Sequence, residues 1–214
     1  MRIGFLVNPI AGMGGRVGLK GTDNVSDKAA EMGAEPVSPV KAIEFLRRMK
    51  ELELLGRITL LTCPGLMGQD EVEAAGLRAE RLPISINAET TAEDTKRGIK
   101  LLVEGNVDLI VFVGGDGTAR DVFDALNRKT TIAVLGVPSG VKMYSGIFAA
   151  SPLDAADVVQ AFLEGEAQIM DFEIVDADEE AIRNDCLSTR LYGLLKGPFV
   201  PCLLYTSPSP RDRT

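Results

Sequence analysis

The stretch "VFVGGDGTARDV", residues 111–122, passes from an apolar run through three glycines and one acid into a helix-compatible segment. The glycines allow a sharp turn without side-chain obstruction. The pattern therefore predicts that a strand ends here and a helix begins. We expect Asp116 to lie exposed over the strand end, with Thr118 near the N-terminus of the helix.

Short apolar runs rich in β-branched residues recur along the first part of the chain, and helical patterns lie between them. The runs occupy residues 2–8, 58–63, 108–114 and 131–137, and the helical patterns residues 38–52, 91–105 and 151–165. Continuous apolar runs of this length are typical of buried parallel strands. The alternation predicts an α/β fold with a doubly wound, Rossmann-like parallel sheet, whose ligands bind at the carboxyl ends of the strands.

Capping residues mark the starts of these three helices. Ser38 is expected to be the N-cap of the first, with Pro39 at its first helical position. Thr91 and Asp94 have the spacing of a capping box for the second helix. Ser151 is expected to cap the third in the same way, so all three helix boundaries are predicted from local chemistry.

The pattern changes after Gly165, where strand-like segments replace the alternation. They occupy residues 167–178 and 190–197, around a short helical piece at about 179–184. We interpret residues 1–165 as a nucleotide-binding α/β domain and residues 166–201 as the incomplete start of a β-rich second domain. Its strands are expected to lack sheet partners. The segment "CLLYTSPSPRDRT", residues 202–214, is Pro/Ser-rich and aperiodic, and we interpret it as a non-native tail.

Composition limits the classes of chemistry. The formal charge is −8 and no basic stripe occurs, which disfavours nucleic acid and anionic membranes as partners. No apolar run approaches the roughly 20 residues that span a bilayer, so we expect a cytoplasmic protein. Histidine is absent, which excludes Ser-His-Asp and Cys-His catalysis. The three cysteines are far apart and are expected to be reduced structural thiols.

Two further loops follow predicted strands and carry groups suited to phosphate. In "NPIAGMGGRVGLKG", residues 8–21, Gly12, Gly14 and Gly15 would let backbone N–H groups approach an anion. The loop matches neither the Walker A nor the dinucleotide-binding glycine pattern, and a plain surface loop is the alternative. In "GVPSGVKMYSGIFA", residues 136–149, the candidates are Ser139, Gly140, Lys142 and Ser145, where an ordinary polar loop is the alternative.

Asp116 is the candidate catalytic group because it stands alone among glycines at the strand-to-helix crossing. An acid there is suited to accepting a proton from an attacking hydroxyl or to holding Mg²⁺ against phosphate oxygens. A turn-forming Asp-Gly pair is the structural alternative. Asp121 could assist from the same side of the helix, although a capping or surface role is the stronger interpretation.

With these three motifs in order, the chain resembles the superfamily of NAD kinases, diacylglycerol and sphingosine kinases, and phosphofructokinases, which share Gly-Gly-Asp-Gly-Thr. The first and third loops are more similar to the ATP-NAD kinase family proteins of prokaryotes. The resemblance extends from residue 1 to about residue 201 and implies a C-terminally truncated member of that family.

The resemblance implies Mg²⁺-dependent transfer of the ATP γ-phosphoryl group to a hydroxyl, here the ribose 2′-hydroxyl of NAD, giving NADP. Asp116 matches the motif acid, as catalytic group and metal ligand, and Asn8 matches the asparagine of the first loop. The frame facing the phosphates would be Gly114, Gly115, Gly117 and Thr118. Because the acceptor site draws on the second domain, this truncated chain is expected to fold but to be inactive as an enzyme.

Alternatives in acceptor and in class stay open. The Asn-Glu pair with which NAD kinases contact the dinucleotide has no convincing equivalent in this sequence. The acceptor could therefore be another alcohol or a lipid, and a nucleotide-binding regulator without turnover is the alternative of a different class. Homo-oligomer formation is also left open.

Overall fold

A computed structural model describes residues 1–12, 36–87, 89–126, 131–140, 143–177, 189–201 and 203–204. Within them, five strands form a parallel sheet in the spatial order β3-β2-β1-β4-β5. Their bounds are β1 (Arg2–Val7), β2 (Thr59–Thr62), β3 (Glu80–Arg81), β4 (Leu109–Gly114) and β5 (Ala133–Pro138). The predicted fold class and four of these strands are confirmed. The fifth, β3, was missed because two exposed charged residues carry no strand pattern.

Helices cover both faces of this sheet, as a doubly wound fold requires. They are α1 (Ser38–Glu51), α2 (Gln69–Ala74), α3 (Ala92–Glu104), α4 (Asp116–Leu126) and α5 (Pro152–Glu164). Helices α1 and α5 pack together on one face, and α3 and α4 pack together on the other. The short helix α2 lies beside α1.

The central strand β4 shows why the predicted strands are uniformly apolar. Val111 and Val113 belong to the core under α1 and α5, whereas Ile110 and Phe112 belong to the core under α3 and α4. All six residues of the strand are buried. A strand covered by helices on both faces needs apolar residues at consecutive positions, so the alternating pattern of a half-exposed strand is absent.

The predicted helix starts are confirmed at two of the three positions. The Thr91 hydroxyl accepts the N–H of Asp94, and the Asp94 carboxylate accepts the N–H of Thr91 at 2.9 Å, which completes the capping box of α3. Ser151 accepts the N–H of Asp154 at 3.2 Å and caps α5. The prediction for Ser38 is wrong, because Val37 is the N-cap of α1. The Ser38 hydroxyl instead donates to the buried carbonyl of Ala11 at 3.0 Å.

The two remaining strands, β6 (Gln168–Ala177) and β7 (Thr189–Phe199), pair with each other in an antiparallel ribbon. The expectation that they would lack sheet partners is therefore wrong. The ribbon packs against α4 and β5. Its outer surface retains exposed apolar side chains, namely Ile169, Met170, Leu191 and Leu194. The helical piece expected at about 179–184 lies outside the described residues.

Two leucines of the predicted tail contact the α/β core. The Leu203 carbonyl accepts the N–H of Ala150 at 3.0 Å. Leu204 is buried beside α5 in the core under α1 and α5. The remainder of residues 202–214 lies outside the described part of the chain.

Cys63 follows β2 and is completely buried. Burial, reinforced by the negative charge of Asp94, raises the pKa of its thiol to about 12. Cys63 is therefore protonated at neutral pH, as expected for a structural thiol. The other two cysteines lie outside the described residues. No helix in the described ranges combines the length and the apolar character needed to cross a bilayer.

Candidate functional site

The candidate site lies where the winding of the sheet reverses direction, between β1 and β4. The chain moves from β1 to β2 on one side, and it later returns to place β4 on the other side. Crevices at such reversals are the usual ligand sites of open parallel sheets. Gly114 ends β4 there and Asn8 directly follows β1, and the Asn8 N–H donates to the Val113 carbonyl at 3.0 Å.

The side chain of Asn8 joins the first loop to helix α4. Its Nδ2 donates to Thr118 Oγ1 at 3.0 Å, and its Oδ1 accepts the Ile10 N–H at 3.3 Å. Since the Thr118 oxygen accepts from Asn8, its hydroxyl hydrogen remains available. No acceptor for that hydrogen occurs among the residues that the structure describes. The pair thus presents one hydroxyl donor at the strand ends.

Gly114 and Gly115 serve different purposes in the turn between β4 and α4. A side chain at Gly114 would overlap that of Thr118, so this glycine makes room within the protein. Among the residues that the structure describes, a Cβ at Gly115 would meet no atom within 4 Å. The N-terminus of α4 therefore opens onto free space beside Gly115, where a helix favours an anion.

Asp116 is the first residue of α4 and only 8% exposed, because the chain after β5 folds back over it. Its Oδ2 accepts the N–H of Tyr144 at 2.8 Å, and its Oδ1 accepts the N–H of Ser145 at 2.9 Å. The expectation that Asp116 lies exposed over the strand end is therefore wrong. Thr118, by contrast, lies near the N-terminus of α4 as predicted.

The environment of Asp116 makes its carboxylate a better proton acceptor than an exposed one. Burial raises its pKa, and hydrogen bonds from Ser145 and Tyr144 oppose the rise without cancelling it. A higher pKa increases the basicity of the ionised form. Each carboxylate oxygen also has a second lone pair beyond the one that accepts an N–H.

The loop after β5 meets both other loops at Ser139. The Ser139 N–H donates to the Gly114 carbonyl at 3.0 Å, and a side chain at Gly12 would overlap the Ser139 carbonyl. Gly12 has φ 84°, which glycine adopts without strain. Ser139 is 5% exposed, and its Oγ has no hydrogen-bond partner within the described ranges. Like the Thr118 hydroxyl, this buried hydroxyl can form a further hydrogen bond.

The remaining sequence candidates are placed less closely or fall outside the description. Gly117 is half-buried in the first turn of α4, and Gly140 is exposed after β5. Asp121 is buried on α4, and its Oδ1 lies 3.9 Å from Lys96 Nζ, which supports a structural ion pair. Gly14, Gly15 and Lys142 lie outside the described residues.

The possible metal ligands at this site fit a Mg²⁺ ion that binds together with phosphate better than an ion that the protein alone would hold. In the described ranges, no group of three acidic, cysteine or histidine side chains lies together. Mg²⁺ at phosphate sites needs only one or two carboxylates, with phosphates and water supplying the other ligands. Asp116 is the carboxylate placed to supply such a ligand.

A neighbouring cleft of about 840 Å³ at the same edge of the sheet was not predictable from the sequence. It lies beyond the ends of β2 and β3, and its lining includes Pro64, Asp70, Arg81, Asn87 and Thr90. These residues form no recognisable motif. Only their position in the sequence could have indicated them, since these residues follow strands whose carboxyl ends face the site.

Comparisons with known proteins agree with this geometry at the level of the family. Residues 3–167 match the profile of the ATP-NAD kinase N-terminal domain. A search of curated proteins found no match. Among solved structures, a UDP-GlcNAc 2-epimerase from Neisseria meningitidis, bound to UDP-GlcNAc, aligns with a TM-score of 0.37 and 14% identity, covering 67% of this chain and 34% of that one.

An NAD kinase from Archaeoglobus fulgidus, in complex with ATP, aligns with a TM-score of 0.30 and 16% identity, covering 88% of this chain and 45% of that one. The chain therefore spans less than half of either structure. At these TM-scores the two similarities carry no weight, and the assignment rests on the profile match alone. Since that match covers more than half of the sequence, the chain belongs to the ATP-NAD kinase family.

Proposed function

We propose that this protein transfers the γ-phosphoryl group of ATP to a hydroxyl of a small molecule, the ribose 2′-hydroxyl of NAD, to give NADP. The observation that carries the proposal is the meeting of three loops at the reversal between β1 and β4. There a single buried acid begins a helix whose N-terminus opens onto free space. Family membership supports the proposed reaction type, and the geometry supports the proposed roles of the residues.

Phosphate binding is assigned to backbone and hydroxyl groups rather than to a basic patch. The N-terminus of α4 at Gly115 would face the phosphates, and the hydroxyls of Thr118 and Ser139 each have hydrogen-bonding capacity in reserve. Gly117 and Gly140 would extend this frame. In the proposal Gly14 and Gly15 continue the cradle begun at Gly12, and Lys142 neutralises phosphate charge.

Asp116 would accept the proton of the acceptor hydroxyl as its oxygen attacks the γ-phosphorus. The bond between that phosphorus and the β,γ-bridging oxygen breaks, and ADP leaves with the electron pair. When bound with ATP, Mg²⁺ would neutralise charge on the phosphate oxygens, with Asp116 as its protein ligand. The raised pKa of Asp116 suits the role of base.

The proposed division of the chain follows from these roles. Residues 1–165 would form the nucleotide-binding domain, and residues 166–201 would begin the domain that completes the acceptor site. Turnover is therefore expected only in a version that carries a complete second domain. Binding of ATP is expected of the 214-residue chain itself.

The test separates binding from turnover. ATP binding is measured by calorimetry on this chain, and NADP formation is measured on a version with a complete second domain. Asp116→Asn should lower NADP formation by at least roughly 10²-fold, the lower end of general base contributions, because it keeps the shape and removes the charge. Asp108→Asn is the matched control, since Asp108 lies at the opposite end of β4 and accepts the Arg2 N–H.

The outcomes distinguish the parts of the proposal. Absence of ATP binding would rule out the proposed nucleotide site. Phosphorylation of another alcohol, with NAD unchanged, would overturn the assigned acceptor and keep the reaction type. Unchanged turnover in Asp116→Asn would end the catalytic role of that residue.

A further inference from the structure

Ser145 connects the candidate catalytic acid to the antiparallel ribbon. It is completely buried, and its N–H donates to Asp116 Oδ1 at 2.9 Å. Its hydroxyl donates to the Val175 carbonyl at 2.8 Å and accepts the Val175 N–H at 3.0 Å. One residue therefore contacts the carboxylate through its backbone and strand β6 through its side chain.

The following residue continues the same attachment. The Gly146 N–H donates to the Glu173 carbonyl at 3.0 Å. Strand β6 pairs with β7 along one edge, so residues 145–146 occupy its other edge. Three hydrogen bonds to β6 thus fix the short segment whose N–H groups hold Asp116.

The attachment falls at an irregularity of the ribbon. The register shifts between Ile174, which faces Gly193, and Val175, which faces Leu191, so that β7 carries one extra residue there. Such bulges bend a strand and redirect its groups, and they occur frequently beside active sites. Phe123 of α4 packs against Gly193, where a side chain would overlap its ring. The bulge is thus held against the helix that begins with Asp116.

We propose that Ser145 is a positioning residue for Asp116, because its hydroxyl locks the segment 144–145 to β6 and so aims two N–H groups at the carboxylate. The significance for catalysis rests on the proposed function, in which Asp116 is the base. The positioning itself does not depend on that function. A hydroxyl that donates to and accepts from the same residue has one orientation, which leaves the segment little freedom to turn.

The first test uses amide hydrogen exchange on the unliganded chain. Ser145→Ala should accelerate exchange of the Tyr144 and Ser145 amides by at least roughly tenfold, because the segment loses its anchor. Amides of the β4 ladder should keep their protection. Ser151→Ala is the matched control, because Ser151 also makes one donated and one accepted hydrogen bond, at a helix start remote from Asp116.

A structural role alone would give a different pattern. It would accelerate exchange across α4 and β6 as a whole, and that result would overturn the proposal. Unchanged exchange at Tyr144 and Ser145 would overturn it as well. Asp116→Ala should expose the same two amides, since it removes their acceptor, and combining it with Ser145→Ala should add little.

Turnover provides the second readout, in the version with a complete second domain. Ser145→Ala should lower kcat by about tenfold or more with KM for ATP little changed, and Ser145→Thr should restore part of kcat by returning the hydroxyl. If Ser145→Ala fails to fold, Ser145→Cys keeps the volume with a weaker donor and is measured instead. Failure of both to fold would assign Ser145 to stability and reject the proposal. Because hydrogen exchange is measured without substrate, it would still test the positioning role of Ser145 if the proposed kinase function proved wrong.

Discussion

Glu71 makes the stability of this protein depend on pH. It lies in α2 and is 2% exposed, and its Oε2 has no hydrogen-bond partner in the described part of the chain. Burial raises its pKa from 4.5 to about 7, with a further contribution from the charge of Asp70. Backbone N–H groups of Gly68 and Glu71 itself oppose the rise only in part. The folded protein therefore favours the protonated acid.

The sign and the size of the effect follow from linkage. A carboxyl whose pKa is raised on folding binds more protons in the folded state, so its contribution to stability is largest below the unfolded pKa and is lost as pH rises. The loss runs from about pH 4.5 to about pH 7. At about 1.4 kcal/mol per pKa unit, the full change is about 3 kcal/mol. About 2.5 kcal/mol of it falls between roughly pH 5 and pH 8.

Glu71→Gln tests this prediction because glutamine resembles the neutral acid and does not titrate. Urea unfolding at several pH values between 5 and 8 gives the free energy of unfolding for both proteins. The difference between wild type and variant should shift by about 2–3 kcal/mol in favour of the variant as pH rises. Glu73→Gln, an exposed change in the same helix, should show no such trend. A difference between wild type and Glu71→Gln that stays constant with pH would refute the reasoning.

Three further predictions concern two loop glycines and a helix cap. Gly115→Val should fold normally, because the valine side chain points into open space, but calorimetry should show that it has lost ATP binding. Gly12→Ala should instead lower the free energy of unfolding by roughly 1–3 kcal/mol, because Gly12 has a positive φ and lies against the Ser139 carbonyl. Normal ATP binding by the valine variant would place the phosphate site elsewhere. Thr91→Ala should lower the free energy of unfolding in urea by about 1 kcal/mol, because it removes the cap that binds the Asp94 N–H. An unchanged unfolding midpoint would contradict that role.

Features that depend on neighbouring residues were predictable from the sequence. The capping box at Thr91 needs only a partner three residues away, and the continuous apolar run of β4 reports burial on both faces by itself. The strand-to-helix turn at the three glycines is local for the same reason. These elements fix the order of the doubly wound sheet and therefore the edge at which the loops meet.

Features that depend on distant residues were not predictable. Asp116 is buried because amides 28 and 29 residues later fold back onto it, and its own sequence context gives no sign of them. Ser38 has the right residue type for an N-cap, yet a buried carbonyl at Ala11 takes its hydroxyl. In both cases a hydrogen bond required by tertiary packing outweighs the local preference.

The central place of β1 in the sheet has a consequence for the synthesis of this protein. Its last residue, Val7, pairs with Val113, which the ribosome adds about a hundred residues later. At 5–20 residues per second, translation leaves that edge of β1 without its partner for roughly 5–20 s. Its row of buried apolar residues, from Ile3 to Val7, would stay exposed in the nascent chain during that interval. A chaperone that binds short extended apolar segments would find a target at that open edge of β1 until β4 has been made.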